Sequence, residues 1–261
     1  SIAIPLIIIC IVGVLILVKL LIKKVPISSK MSYLIAIGTS VCGATAIVAT
    51  APVINAKKSE VAYAIANITL FGVIAMIVYP YFAEWYFDNN ALKTGLFLGT
   101  SIHETSQVAA AGLIYDQQFN SPETLNVATV TKLIRNTFLV ILIPLFAFLY
   151  NRGELKGQKY SILSIFPYFV IGFIGMIVVR NIGDQVFTTD NDSYVIWTTL
   201  IGYLKTLATV FLTMAMAAVG ISINLSELKS MVYLSFVVVL IVAITVGFIS
   251  LIYIETLIKF I

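Results

Sequence analysis

Apolar residues in this chain neither alternate nor keep to one helical face. They run almost unbroken through six stretches: Ile2 to Ile22, Val61 to Phe82, Thr124 to Tyr150, Ile162 to Ile182, Tyr194 to Gly220 and Met231 to Ile258. A helix rises about 1.5 Å per residue and needs roughly 20 apolar residues to cross about 30 Å of hydrocarbon, so each stretch predicts one transmembrane helix. Strands are excluded because an open sheet in lipid leaves backbone groups unpaired. The expected fold is an all-α polytopic membrane protein, with residues 1–261 forming one transport domain. The chain opens directly in an apolar run, with no basic leader and small-residue cleavage site, so it does not read as a signal peptide and further helices are expected upstream.

Two more segments, Tyr33 to Ile54 and Leu92 to Tyr115, are long enough to cross but carry Gly, Ser and Thr at their centres. They align. Gly38-Thr-Ser-Val-Cys-Gly-Ala-Thr-Ala-Ile-Val-Ala49 matches Gly99-Thr-Ser-Ile-His-Glu-Thr-Ser-Gln-Val-Ala-Ala110, with identities at Gly38/Gly99, Thr39/Thr100, Ser40/Ser101 and Ala49/Ala110. Each is followed by an apolar helix, which defines an internal repeat with one copy over 33–82 and a second over 92–150. Paired Gly-interrupted segments point to a transporter binding site, because unwound backbone survives at membrane depth only where it lines a cavity or is buried in protein. The bland alternative is close helix packing through small residues.

Charge bears on whether the segments cross or dip back. Lys19, Lys23, Lys24 and Lys30 precede the first and Lys57 and Lys58 follow it, whereas Glu84, Asp88, Asp116 and Glu123 surround the second, with Lys93 among them. Like flanks on both sides of each segment favour re-entrant hairpins that enter from opposite faces and meet near the midplane, over two full crossings that would place Lys57 and Lys58 outside.

Composition narrows the function. Apolar residues make up 60% of the 261 positions and charged residues 11%, which excludes a soluble fold. The net charge of +4 lies in loops between apolar runs, so it reads as topology and predicts no nucleic-acid partner. One histidine, with Cys10 and Cys42 inside apolar runs, cannot furnish a disulfide framework or a zinc site, and no metal or cofactor is expected.

Several polar residues fall where lipid tolerates them poorly. His103, Glu104 and Gln107 share the second broken segment at spacings that let them converge. His103 and Glu104 are candidates for proton coupling, since an imidazole changes charge near neutral pH and withdrawal from water disfavours the charged form of both groups. Lys132 and Arg135, with Asn136, share one face of the following helix, and Arg135 lies too deep to snorkel. Lys205 sits mid-helix with no acid in its own run, leaving Glu104 or a bound anion as its expected partner. Gly38, Thr39, Ser40, Gly99, Thr100, Ser101, Gln107, Lys132, Arg135 and Lys205 are therefore the expected substrate-binding set, with the three cations supplying positive charge for an anion.

Gly38-Thr-Ser-Val-Cys-Gly-Ala-Thr-Ala, Ala51-Pro-Val-Ile54, Val61-Ala-Tyr-Ala-Ile-Ala-Asn-Ile-Thr-Leu-Phe-Gly72 and Ser101-Ile-His-Glu-Thr-Ser-Gln-Val-Ala-Ala-Ala-Gly112 resemble the YeiH-type family of bacterial membrane proteins. So do Val130-Thr-Lys-Leu-Ile-Arg135 and Met216-Ala-Ala-Val-Gly-Ile-Ser-Ile-Asn-Leu-Ser226, so the resemblance covers essentially the whole chain. It implies a multi-pass carrier of the bacterial cell membrane, of a family often labelled sulfate exporters, with helices before the first one present here. The expectation is a secondary transporter of a small inorganic or organic anion, plausibly sulfate, sulfite or a sulfonate, coupled to H⁺ and working in the lipid bilayer, with homodimer assembly left open. A sodium-coupled carrier using Thr39, Thr100, Ser101 and unwound carbonyls for Na⁺ is the runner-up. An anion channel is a further alternative. An intramembrane enzyme using His103 and Glu104 lacks a convincing nucleophile, so no enzymatic activity is expected.

Overall fold

A computed structural model describes residues 3–22, 25, 27–154, 168–187, 193–221 and 225–257. Among the described residues there are eleven helices: α1 (Ala3–Ile22), α2 (Ser29–Ser40), α3 (Ala44–Thr50), α4 (Lys58–Phe87), α5 (Ala91–Ser101), α6 (Thr105–Phe119), α7 (Pro122–Thr137), α8 (Leu139–Glu154), α9 (Tyr168–Val186), α10 (Ser193–Ile221) and α11 (Leu225–Leu257). Four helical spans among the described residues are long and apolar enough to cross a membrane: Ala3–Leu21, Lys58–Phe87, Pro122–Phe146 and Ser235–Thr256. The two remaining predicted spans fall on α9 and α10, and positions 2, 162–167 and 258 of the predicted runs lie outside the described residues.

The chain divides into two compact units, one of residues 1–159 and 224–261, the other of residues 160–223. In the smaller unit Asp184 accepts from Arg180 Nε at 2.6 Å and from Trp197 Nε1 at 2.8 Å, which joins α9 to α10. Every other feature below belongs to the larger unit unless stated.

Both Gly-rich segments break where the repeat aligns them. The first turns at 41–43 between α2 and α3, the second at 102–104 between α5 and α6. Each is a hairpin whose ends lie together. In the first, Lys30 Nζ donates to Asn55 O at 2.7 Å, and Ser28, the N-cap of α2, hydrogen-bonds Glu60 at the start of α4. In the second, α5 and α6 lie on either side of α7 in opposite senses. Gly95 and Gly112 both meet the start of α7 at Val127 and Leu125, while Asn136 at its far end donates to Thr105 Oγ1 at 3.1 Å.

Helix α4 sets the two hairpins against each other. Its 30 residues span about 45 Å, with the mouth of the first hairpin at Glu60 and that of the second at Glu84, which hydrogen-bonds Tyr115. The break of the first hairpin lies near Ile68 and that of the second near Thr69 and Gly72. The hairpins therefore enter from opposite ends and meet half way along α4, as the flanking charges predict. Helix α11 runs beside α4, tied by Asn67 Nδ2 to Ser235 Oγ at 3.5 Å and, through the second hairpin, by Thr100 Oγ1 to Ser250 Oγ at 2.7 Å.

The predicted helix Thr124 to Tyr150 is interrupted at one residue, Phe138, within the span Pro122–Phe146. Its hydrogen-bond ladder tightens at Phe138, whose N–H donates to Arg135 O at 3.2 Å in the three-residue pattern, and α8 begins afresh at Leu139. This puts Arg135 in the last turn of α7 at the level of both breaks, although it lies well inside the apolar run of the sequence.

Candidate functional site

A break in a membrane helix strands backbone carbonyls on one side and N–H groups on the other. Here the stranded carbonyls of both hairpins converge on Lys132 and Arg135, whose side chains have no solvent exposure. Arg135 Nη2 donates to Thr39 O at 2.5 Å, Nε to Ser40 O at 2.8 Å, and Nη1 to Thr100 O. Lys132 Nζ donates to Val41 O at 2.8 Å, Ile102 O at 2.9 Å and His103 O at 2.5 Å. Thr39 and Thr100 are equivalent positions of the repeat, as are Val41 and Ile102. Each cation thus takes one equivalent carbonyl from both copies. Two helix C-termini, each with partial negative charge, are neutralised by two cations. Burying either cation without such partners would cost several kcal/mol.

These contacts change the roles read from the sequence. The one-face placement of Lys132, Arg135 and Asn136 holds, and Arg135, too deep to snorkel, is met by a set of main-chain carbonyls. Sequence reasoning missed these carbonyls because every residue has one; only the paired break positions hinted at them. Gly38 and Gly99 serve packing. A Cβ on Gly99 would lie 2.7 Å from Ala128 O, so the residue lets α5 lie directly on α7. A Cβ on Gly38 would meet Ile47 at 2.8 Å. Thr39 and Thr100 bond their own helices through Ile35 O and Leu96 O, both at 2.7 Å. The equivalent hydroxyls of Ser40 and Ser101 are buried with no partner among the described residues.

His103 and Glu104 do not bond each other. Glu104 Oε1 accepts from Ala44 N at 2.5 Å across to the first hairpin, and the charges of Glu104 and Lys132 act on one another. The repeat explains the room for it. Glu104 occupies the position where the first copy has Gly43, and a Cβ on Gly43 would lie 2.5 Å from Glu104 Oε1. Gly43 also has φ of +70°, a conformation that L side chains rarely adopt. His103 is 2% exposed, and neither ring nitrogen has a partner among the described residues. It faces a crevice of about 190 Å³ between α4 and α11, together with Ser101. Gln107 leans on α4, its Nε2 donating to Thr69 O at 3.1 Å while its Oε1 stays unpartnered beside Gly72. Lys205 lies in the smaller unit, on α10, where its charge acts on Asp184.

Two inverted broken helices meeting on a buried cation pair, within a bundle of membrane-length helices, define a polytopic helical membrane protein. The chain belongs to the family described as Conserved hypothetical protein 698, whose model matches residues 1–251. It is 35% identical over 233 residues to a UPF0324 membrane protein of Fusobacterium nucleatum, covering 87% of this chain and 66% of that one. To a UPF0324 membrane protein of Streptococcus agalactiae it is 34% identical over 226 residues, covering 87% and 64%. To the UPF0324 inner membrane protein YeiH of Escherichia coli K12 it is 32% identical over 213 residues, covering 79% and 55%. The chain thus spans between about half and two thirds of the length of the curated relatives it matches. No solved structure matches it. The resemblance read from the residues is met, and the protein is a multi-pass protein of a bacterial membrane.

Proposed function

We propose that this chain forms the substrate-handling core of a secondary carrier for a small anion, driven by protons. One observation carries the reading: two buried cations, Lys132 and Arg135, at the meeting point of two oppositely inserted helix breaks, with Glu104 as the carboxylate nearest them. With Glu104 ionised the three side chains sum to one positive charge; with Glu104 protonated they sum to two. A proton on Glu104 therefore raises the attraction for an anion, and a bound anion favours the proton, which is reciprocal coupling. The half-helices α3 and α6 begin at the same place, and their positive ends add to the field. Unbonded buried hydroxyls at Ser40 and Ser101 are suited to anion oxygens.

Protons are preferred to sodium on the same geometry. The carbonyls a sodium ion would need at the breaks, those of Thr39, Ser40, Val41, Thr100, Ile102 and His103, already accept from Arg135 and Lys132. Inward and outward access follows from the inverted hairpins, each able to move against α4 while the cation pair holds their tips. Sulfate, sulfite and sulfonates are the first anions to try. The test is counterflow of a panel of anions into proteoliposomes under imposed pH or Na⁺ gradients. Exchange with proton-driven accumulation is expected in the wild type, and exchange without accumulation in Glu104→Gln. Saturation-free, voltage-driven flux would assign a channel, and accumulation that follows Na⁺ alone would assign the sodium-coupled carrier.

A further inference from the structure

The crevice between α4 and α11 joins two kinds of surface. At its inner end are Ser101 and His103, both at least 97% buried, whose hydroxyl and two ring nitrogens have no partner among the described residues. Buried polar atoms are nearly always bonded, so three unbonded atoms on two residues that line one cavity call for a polar occupant. The rest of the wall is apolar: Phe71 and Ala75 on α4 face Leu240 and Ala243 on α11, and only the edge of Tyr79 interrupts it. Its rim is the exposed side of Ile74, Val78 and Ile244. Water alone is a poor occupant of such a space, because each water needs two to four polar partners and these lie only at the inner end.

Charge selects among polar occupants. The charges of both Arg135 and Lys132 reach His103. Their hydrogen bonds go to neutral carbonyls, so their charge is not cancelled by a carboxylate bonded to them. A head group resting on Ser101 and His103 sits in that positive field, donated to by the serine hydroxyl and by one imidazole N–H.

We propose that this crevice is the substrate's seat and that the substrate is an organic anion with an apolar body, its charged head on Ser101 and His103 and its body between α4 and α11. This rests on the carrier reading above and narrows it from small anions in general to amphipathic ones. The crevice, of about 190 Å³, has room for a head group and a short apolar body. Inorganic sulfate would satisfy the inner end and leave the apolar walls unfilled.

The experiment measures binding of straight-chain carboxylates and sulfonates, from one carbon to eight, to the purified full chain by thermal shift and by competition in counterflow, with inorganic sulfate alongside. Each methylene entering the crevice is expected to tighten binding by about fourfold, until the space is full and the gain stops. Comparing the two series assigns the head group. Ala243→Phe, which fills the crevice from α11, is expected to flatten the chain-length dependence, and Ala75→Leu does the same from α4 if the first variant folds poorly. Ser101→Ala with His103→Gln is expected to weaken every chain length by the same factor, about tenfold or more, because it removes the head-group contacts alone. Equal affinity for short and long chains, or a chain-length dependence unaltered by filling the crevice, overturns the proposal. In that event sulfate exchange that continues leaves the carrier reading standing. If the wild type exchanges no anion at all, the carrier reading falls, and the binding series then judges the crevice as a ligand site by itself.

Discussion

Replacing Arg135 by lysine keeps the charge at the meeting of the hairpins and removes the shape. Arg135 uses three separate nitrogens, Nε on Ser40 O, Nη2 on Thr39 O and Nη1 on Thr100 O, so one planar group spans the first hairpin and bridges it to the second. A lysine in its place ends in a single nitrogen near the former Cζ and cannot reach all the acceptors spread around a guanidinium fork. About two of the three carbonyls lose their donor, with no water at that depth to replace it. An unsatisfied buried acceptor costs about 1–3 kcal/mol, and allowing some relaxation the expected loss is about 2–4 kcal/mol. The assay is reversible unfolding of the full chain in mixed micelles by rising SDS fraction, with Arg135→Lys and Arg135→Gln measured beside the wild type. Both variants should be destabilised, the glutamine more, and the two hairpins should become accessible to protease together. If Arg135→Lys matches the wild type within about 0.5 kcal/mol while Arg135→Gln folds as well but loses anion binding, the guanidinium supplies charge only, and its role as a carbonyl clamp is refuted.

Gly43→Ala should destabilise the fold by about 1–3 kcal/mol, because Gly43 has positive φ and its Cβ would press on Glu104; adding Glu104→Ala should recover the steric part and not the backbone part, as read by the same unfolding titration. Cysteines placed singly at Lys30 and Lys58, in a background with Cys10 and Cys42 replaced by alanine, should react with an impermeant thiol reagent from the same face, since Lys30 reaches Asn55 at the far end of the first hairpin; labelling from opposite faces would show a segment that crosses. Thr100→Val should cost about 1 kcal/mol by stranding the Ser250 hydroxyl, and a Thr100→Val, Ser250→Ala pair should cost less than the sum of the two single changes.

The spans and the breaks were legible because each is a local property. Long apolar runs report membrane helices wherever they fold, and Gly, Ser and Thr at the centres of Tyr33 to Ile54 and Leu92 to Tyr115 mark the interruptions that α2–α3 and α5–α6 contain. The opposite insertion of the hairpins was legible too, because lysines and acids at their flanks record which end faces which solvent. The break at Phe138 was hidden, since the apolar run continues through it without a change in residue character.

The site is where local reading ends. Spacing put Lys132 and Arg135 on one face and His103, Glu104 and Gln107 near each other, but it could not say what each side chain would meet. In the folded chain Glu104 turns to Ala44, His103 to the crevice and Gln107 to Thr69, three directions from five consecutive positions. The acceptors for the two cations are main-chain carbonyls, which have no letter in the sequence and become available only because both helices stop at the same height. A carbonyl freed on one hairpin is matched to a donor on α7 more than ninety residues away, as Thr39 and Ser40 are to Arg135. Residue types determined that this chain would enter a membrane and where its helices would break; only tertiary packing, by bringing two repeat-equivalent sets of stranded carbonyls to one cation pair, decided what those breaks are held by and what they leave unbonded.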